Sequence, residues 1–372
     1  LTSSSRLPIR RVNRSGGVDE LGFYEPVSKS LDLVAPGFPL LGPGAHVHDG
    51  DLPWVFDEMA PSGFLARRFA RWFPELRLRE DRQLWRADEV LQAISRRGHD
   101  LPGNLLVGDE SFERYQRIFV DDHSPGPPPS SARREYPHFV RDILEEDCAK
   151  SSVGGERPKF SLRLSDGSAR MVKFTPPLSS PFGRRWADLL RLEAHCSVTL
   201  RSLGLSAASS EYVEISDRGY LEIERFDRLS GGGRMGCVTL YWLGAALYSE
   251  IESAVAVVDA LIRDGFLAQD ATRTVRLAAA FSARIGNTDA HLGNYALTIG
   301  DDGVAALAPL YDVLPMALAP RSDELPDGYL KVIDGRPGPA VAPLVERLVD
   351  RVERDPLVSR AFKDTWRNLV GY

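Results

Sequence analysis

Apolar side chains recur at steps of three and four along several stretches of the chain. Phe64, Leu65, Phe69 and Trp72 predict a helix over about 63–72, and Val90, Leu91 and Ile94 a second over 88–97. From residue 160 the period drops to two. Phe160, Leu162 and Leu164 alternate with polar neighbours, Asp166-Gly167 is a hairpin signal, and 169–174 is the returning strand. The helical period returns over about 186–203, with Leu189, Leu192 and Cys196. A second hairpin is expected from 211–215 and 220–226 around Asp217-Arg218-Gly219. From Leu240 the chain reads as mainly helical, with Val275, Ala278, Phe281 and Ile285 on one buried face. That helix stops near Ile285-Gly286, and one more hairpin follows, 295–299 with 304–308 around Gly300-Asp301-Asp302-Gly303. Strands followed by helices make an α+β arrangement.

Residues 123–137 include Pro125, Pro127, Pro128, Pro129, Ser130 and Ser131. Such a segment lacks the backbone donors for regular structure and reads as a linker. It divides the chain into an N-terminal part, 1–122, a strand-rich part, 138–235, and a helix-rich part, 236–372. A total of 372 residues suits two or three cores better than one.

Composition narrows the class. Hydrophobic content of 43% and charged content of 26% are those of a soluble globular protein. A net charge of −6 argues against a surface that clings to nucleic acid throughout. The arginine runs at Arg67, Arg68 and Arg71, at Arg133 and Arg134, and at Arg184 and Arg185 read as solvated helix faces or a local basic patch. Cys148, Cys196 and Cys237 are odd in number, widely spaced and without C-x-x-C, so neither a disulfide framework nor a zinc site is indicated and a reducing cytoplasm is expected. No apolar run approaches the ~18 residues that span a bilayer, so no membrane partner is expected, and no signal peptide is visible. The chain opens on Leu1 rather than Met, which fits a piece of a longer protein.

Candidate chemistry concentrates in Asn287-Thr288-Asp289-Ala290-His291-Leu292-Gly293-Asn294. Phosphoryl transfer needs a carboxylate aimed at the attacking hydroxyl and oxygen ligands for the magnesium that bridges the phosphates. Asp289 and Asn294 have the separation of the kinase catalytic loop H-R-D-x-x-x-x-N, and Asp312 follows a hairpin as the magnesium-binding Asp of kinases does. The plain alternative is that Asp289 and Asn294 cap turns. Asp301 and Asp302, at the hairpin tip, read as solvated. Upstream, Ser151-Ser152-Val153-Gly154-Gly155-Glu156-Arg157-Pro158-Lys159 precedes the first strand, where a Gly-rich segment can turn backbone N–H groups onto phosphates. Lys173, on the returning strand, can reach the α- and β-phosphates, and Glu193 on the next helix could hold it. Leu221-Glu222-Ile223-Glu224-Arg225-Phe226-Asp227-Arg228 closes the strand-rich part, where a kinase hinge would offer the backbones of Glu224 and Phe226 to adenine.

In this order these stretches, with Leu307 to Asp312, resemble the consecutive signatures of HipA-type toxin kinases over roughly 140–320. Pro53 to Phe64 resembles that family's N-terminal subdomain. Gly183 to Leu190 and Asp100 to Leu105 look like its HipH (YjjJ) branch. The resemblance implies a two-lobed protein-kinase-like fold, with a strand-rich N-lobe and an all-helical C-lobe, and an ATP- and Mg-dependent serine/threonine protein kinase. It makes Asp289 catalytic and Asn294 and Asp312 the magnesium ligands. Lys173 becomes the phosphate lysine, supported by Glu193. Ser152, Val153, Gly154, Gly155, Lys159, Glu224, Phe226 and His291 become further ATP contacts. Ser152, with Ser151 as a second candidate, becomes a self-phosphorylated residue that shuts the kinase off. The implied partners are a protein substrate, such as a translation component, and a DNA-binding antitoxin. In the HipH branch an N-terminal winged helix is carried on the same chain; this chain starts where that module would end, so it is expected to be missing.

Other classes remain open on sequence. The D-x-H-x-x-N form also occurs in small-molecule kinases resembling aminoglycoside phosphotransferases. Asp289, His291 and Asp312 could instead hold a metal that activates water in a nuclease (DNase) toxin. A catalytically silent binding module is the non-enzyme alternative. His46-Val47-His48-Asp49, in a Gly/Pro loop, reads as surface.

Overall fold

The computed structural model describes residues 6–33, 47–48, 52–61, 63–121, 126–147, 158–248, 253–321, 324–326, 333, 335 and 337–372. The chain opens with strands β1 (Leu7–Val12), β2 (Val18–Glu25) and β3 (Ser30–Leu33). The short pair β4 (Val47–His48) and β5 (Leu52–Pro53) leads into helices α1 (Trp54–Met59), α2 (Gly63–Trp72) and α3 (Ala87–Arg97). Strand β6 (Leu105–Val107) then returns beside β1, giving the sheet order β3-β2-β1-β6, and helix α4 (Asp109–Tyr115) follows. Period-two reading does not find this sheet, for a physical reason. Ile9 pairs with Gly22 but Arg10 with Glu20, so Leu21 is an extra residue that breaks the alternation of β2. Past it, Arg11 is turned inward and pairs with Asp19 at 2.9 Å.

The N-lobe begins earlier than its first strand. Residues 126–137, expected as a bare linker, form a 3-10 turn, Ala132–Arg134, and the start of helix α5 (Tyr136–Asp147). Prolines cannot donate but their carbonyls accept, and Ser165 N donates to the Pro127 carbonyl at 3.2 Å. Ala132 and Tyr136 are fully buried in the N-lobe core with Phe160, Leu162, Val172, Phe174 and Tyr220. Strands β7 (Lys159–Arg163) and β8 (Ala169–Phe174), helix α6 (Pro181–Ser202), and strands β9 (Ser210–Ile215) and β10 (Arg218–Glu224) complete the lobe, in sheet order β7-β8-β10-β9. Strand β8 coincides with the expected returning strand.

Beyond β10 lie strand β11 (Gly236–Thr239), helices α7 (Leu240–Leu247), α8 (Ala254–Arg263) and α9 (Ala271–Ile285), strands β12 (Ala296–Ile299) and β13 (Ala305–Leu307), and helices α10 (Ala342–Arg354) and α11 (Arg360–Val370). The C-lobe is therefore helix-rich rather than all-helical. Strand β11 adds to the outer edge of the expected hairpin to give the sheet β11-β12-β13, burying Val238, Leu297 and Ile299. Helix α9 ends at Gly286 in the left-handed region, where a Cβ would come within 2.7 Å of Leu369. Only glycine fits this stop, and it releases the chain into the candidate catalytic loop. Asp301 is not merely solvated: its carboxylate accepts the Arg14 N–H at 2.9 Å and its carbonyl accepts Arg11 Nη1 at 3.0 Å. Among the described residues no helix is long and apolar enough to cross a membrane.

Candidate active site

Strand β8 presents Val172 and Phe174 to the N-lobe core and Lys173 to the opposite side, toward α6. Lys173 Nζ donates to both Glu193 oxygens, at 2.7 and 2.9 Å, and also to Asp312 Oδ1. Asp312 reaches this point because a parallel bridge joins Leu310 to Ala207, with Ala208 N donating to the Leu310 carbonyl at 2.9 Å. The Asp312 backbone then turns into the left-handed region (φ 55°), an uncommon conformation for a residue with a side chain. Burial pushes the Glu193 carboxyl up to about 7, and the Asp312 charge adds to it against the pull of Lys173. Burial would also raise Asp312, but Lys173 and then Lys159 outweigh it and hold the group below its usual range. One lysine thus serves two carboxylates, the buried Glu193 and the half-buried Asp312.

The loop after α9 lies beside this trio. Asp289 is exposed, and its backbone N–H donates to Asn287 Oδ1 at 3.2 Å. Asn287 Nδ2 donates in turn to the Asp312 carbonyl at 3.3 Å. Tyr311 Oη donates to the Gly293 carbonyl at 2.8 Å, a second tie between the loop and the Asp312 segment. Asn294 Oδ1 accepts the His291 N–H at 2.8 Å, and His291 Nδ1 accepts the Gly293 N–H at 3.0 Å. Both side chains therefore shape the turn. Asn294 Oδ1 keeps its second lone pair for a ligand.

Lys159 stands opposite Lys173 in the β7–β8 register. Glu224 is exposed at the end of β10, and its backbone N–H is already taken by the Ser209 carbonyl at 2.9 Å. Of the two backbones offered to adenine, the Glu224 carbonyl and the Phe226 amide are the groups suited to it. The Phe226 ring packs against Tyr311 at 5.9 Å between centroids. Ser151, Ser152, Val153, Gly154 and Gly155 lie outside the described residues.

Three contributors escape sequence reading. Asn287 couples the two acidic residues; its place between a helix-ending glycine and Asp289 was the available signal. Tyr311 was visible only as a neighbour of Asp312. Glu58 of α1 accepts both the N–H and the hydroxyl of Thr239 at 2.9 Å, across 181 positions of sequence, and no local pattern announces that.

The donor set fits a hard divalent cation. Asp312 offers a carboxylate and Asn294 an amide oxygen, on segments held together by Asn287 and Tyr311. Among the described residues the two thiols, Cys196 and Cys237, are free, and burial pushes both up, away from the softer thiolate form.

Residues 3–116 match the model of the YjjJ-like toxin middle domain, and residues 151–341 that of the HipA-like C-terminal domain. The chain is 30% identical over 375 residues to Toxin YjjJ of Escherichia coli (strain K12), covering 96% of this chain and 82% of that protein. Its fold resembles a chain from the Shewanella oneidensis MR-1 complex of HipA, HipB and operator DNA, with a TM-score of 0.62 at 14% identity, over 97% of this chain and 96% of that one.

Proposed function

Because the chain belongs to the family of YjjJ-like toxins with a HipA-like C-terminal domain, we propose that it is an ATP- and Mg-dependent serine/threonine protein kinase. The observation that carries this reading is Lys173 held between Glu193 and Asp312. A buried lysine fixed by one carboxylate and facing a second, half-buried one can bind phosphate oxygens beside a divalent cation. Asp312 and Asn294 hold the magnesium, which supplies charge neutralisation on the phosphates. Lys173 binds phosphate oxygens. The Glu224 carbonyl and the Phe226 amide hold adenine, and Lys159 adds positive charge at the phosphate side. Asp289, exposed on the loop, orients the acceptor hydroxyl and takes its proton. His291 shapes the loop that carries it.

On this reading Ser152, with Ser151 as substitute, is the self-phosphorylated residue. A phosphoryl group there adds about −1.5 to −2 charges near the nucleotide and lowers its affinity. The acceptor in the cell is a protein, such as a translation component, and a DNA-binding antitoxin or module restrains the toxin, as the solved complex of HipA with HipB and operator DNA illustrates for that protein. Free thiols at Cys196 and Cys237 fit a reducing cytoplasm.

The test is incubation with labelled ATP and magnesium, followed by phosphosite mapping by mass spectrometry. Label on Ser152 or Ser151 supports the proposal. Magnesium-dependent nicking of plasmid DNA without ATP, and no label, would move the assignment to the nuclease class.

A further inference from the structure

The N-terminal part touches both lobes around the segment that joins them. Arg163 of β7 donates to the Ile118 carbonyl at 2.6 Å, and its guanidinium lies 4.8 Å from the Phe119 ring. On the C-lobe side are the Glu58–Thr239 and Arg14–Asp301 contacts. Between them, at the hinge itself, lies a cluster of three guanidinium groups and two carboxylates: Arg225, Arg228 and Arg234 with Asp100 and Asp227.

Arg228 is the centre of the cluster. Its Nε and Nη2 donate to Asp100 Oδ1 at 3.1 and 2.9 Å, and Nη2 also donates to the Leu101 carbonyl at 2.6 Å. Its Nη1 donates to the Gly103 carbonyl at 2.7 Å and to Asp227 Oδ2 at 2.8 Å. Gly103 N donates back to Asp227 Oδ2 at 2.9 Å, closing a ring between the turn 100–103 and the hinge. Arg225 holds the other side of Asp227, at 3.0 and 2.9 Å, and reaches Ser161 of β7 at 3.1 Å. The turn fits tightly: Gly103 is left-handed (φ 81°), and a Cβ there would stand 3.3 Å from Cys237 N. Arg228 and Asp227 are each about 6% exposed. Removing one partner of such a cluster leaves buried charge uncompensated, and the strain falls on the backbone between them.

That backbone is Glu224 to Arg228, which on the kinase reading meets adenine. Resting on that reading, we infer that Asp100 and Arg228 are positioning residues of the nucleotide site: the turn of the N-terminal part fixes the hinge backbone and so sets adenine affinity. Coupling of this kind is reciprocal. Adenosine must then stabilise the docking of the turn, although the turn does not touch it.

The test uses the full chain. In the unaltered protein, hydrogen exchange is followed with and without adenosine. The expected result is slower exchange over 99–104 as well as over 224–228. Protection of 224–228 with no change over 99–104 overturns the inference and leaves the kinase reading intact. No adenosine binding at all removes both. Asp100→Asn, which keeps the shape and the bonds of Arg228 to the Leu101 and Gly103 carbonyls, is then compared by calorimetry, with Asp100→Glu as rescue. Adenosine and ATP affinity should fall by the same factor, on the order of tenfold, with magnesium tripolyphosphate binding unmoved and Asp100→Glu recovering part of the loss. Unchanged adenosine affinity in folded Asp100→Asn, or an equal loss for tripolyphosphate, overturns it.

Discussion

Lys173 Nζ donates to both carboxylate oxygens of Glu193, at 2.7 and 2.9 Å, so a side chain of α6 fixes the cation of β8. The rotamer freedom of a long lysine is thereby removed before a ligand arrives, which is the kind of preorganisation that tightens binding. Lys173→Ala should weaken ATP more than adenosine, because on the kinase reading the ammonium meets the phosphates and not the nucleoside. The loss of one charge-assisted contact is about 1.5–3 kcal/mol, and calorimetry with the two ligands reads the difference. Equal weakening of both would indicate a damaged N-lobe.

Asp289 is exposed, and among the described residues its hydrogen bond to Asn287 is made by its backbone N–H. Its carboxylate is therefore dispensable for folding. Asp289→Asn should leave the unfolding midpoint and ATP binding close to those of the unaltered protein and lower phosphate transfer by roughly 10²–10⁴, the usual contribution of a positioned base. Undiminished self-phosphorylation in this variant would remove Asp289 from the mechanism.

Asp312→Ala removes one of the two carboxylates that share Lys173 and, on the kinase reading, a hard oxygen ligand of the magnesium. Nucleotide binding should lose its dependence on magnesium, while magnesium-free binding changes little or improves, because Lys173 is no longer engaged by Asp312. Titrating ATP with and without magnesium distinguishes this from a site that holds its metal elsewhere.

Much of this arrangement was legible where contacts are local in sequence. The β7–β8 hairpin announced itself through its period of two and Asp166-Gly167. The loop bearing Asp289 and Asn294 was visible from spacing, and the end of α9 from Gly286. The bulge at Leu21 hid the first sheet by breaking the alternation of β2, and Pro127 hid the packing of the supposed linker, because a proline carbonyl still accepts. Long-range pairings left no local signal: Asp100 with Arg228, and Glu58 with Thr239, are joined only once three parts of the chain have packed. The motif around Arg228 was recognisable as a signature, but its partner in the N-terminal part was not.

Glu58 supplies a pH test that is independent of catalysis. Burial pushes its carboxyl from 4.5 up to about 7, more strongly than the backbone and hydroxyl donors of Thr239 pull it down. A group with a raised folded value keeps its proton in the native state after the unfolded chain has lost it. Between about pH 4.5 and 7 the native state therefore binds more protons, and stability falls as pH rises through that window; below and above it Glu58 contributes no slope. Glu193, also raised to about 7, adds a slope of the same sign, so the unaltered protein alone cannot assign the effect. Glu58→Gln keeps an oxygen for the Thr239 N–H and cannot ionise. Its stability relative to the unaltered chain should rise by about 1–3 kcal/mol from pH 4.5 to 7.5, with Glu193 cancelling in the difference because it titrates in both. Urea unfolding at several pH values across the window measures it. A difference that stays constant with pH would mean that Glu58 titrates alike in the folded and unfolded chains, with the Thr239 donors offsetting its burial.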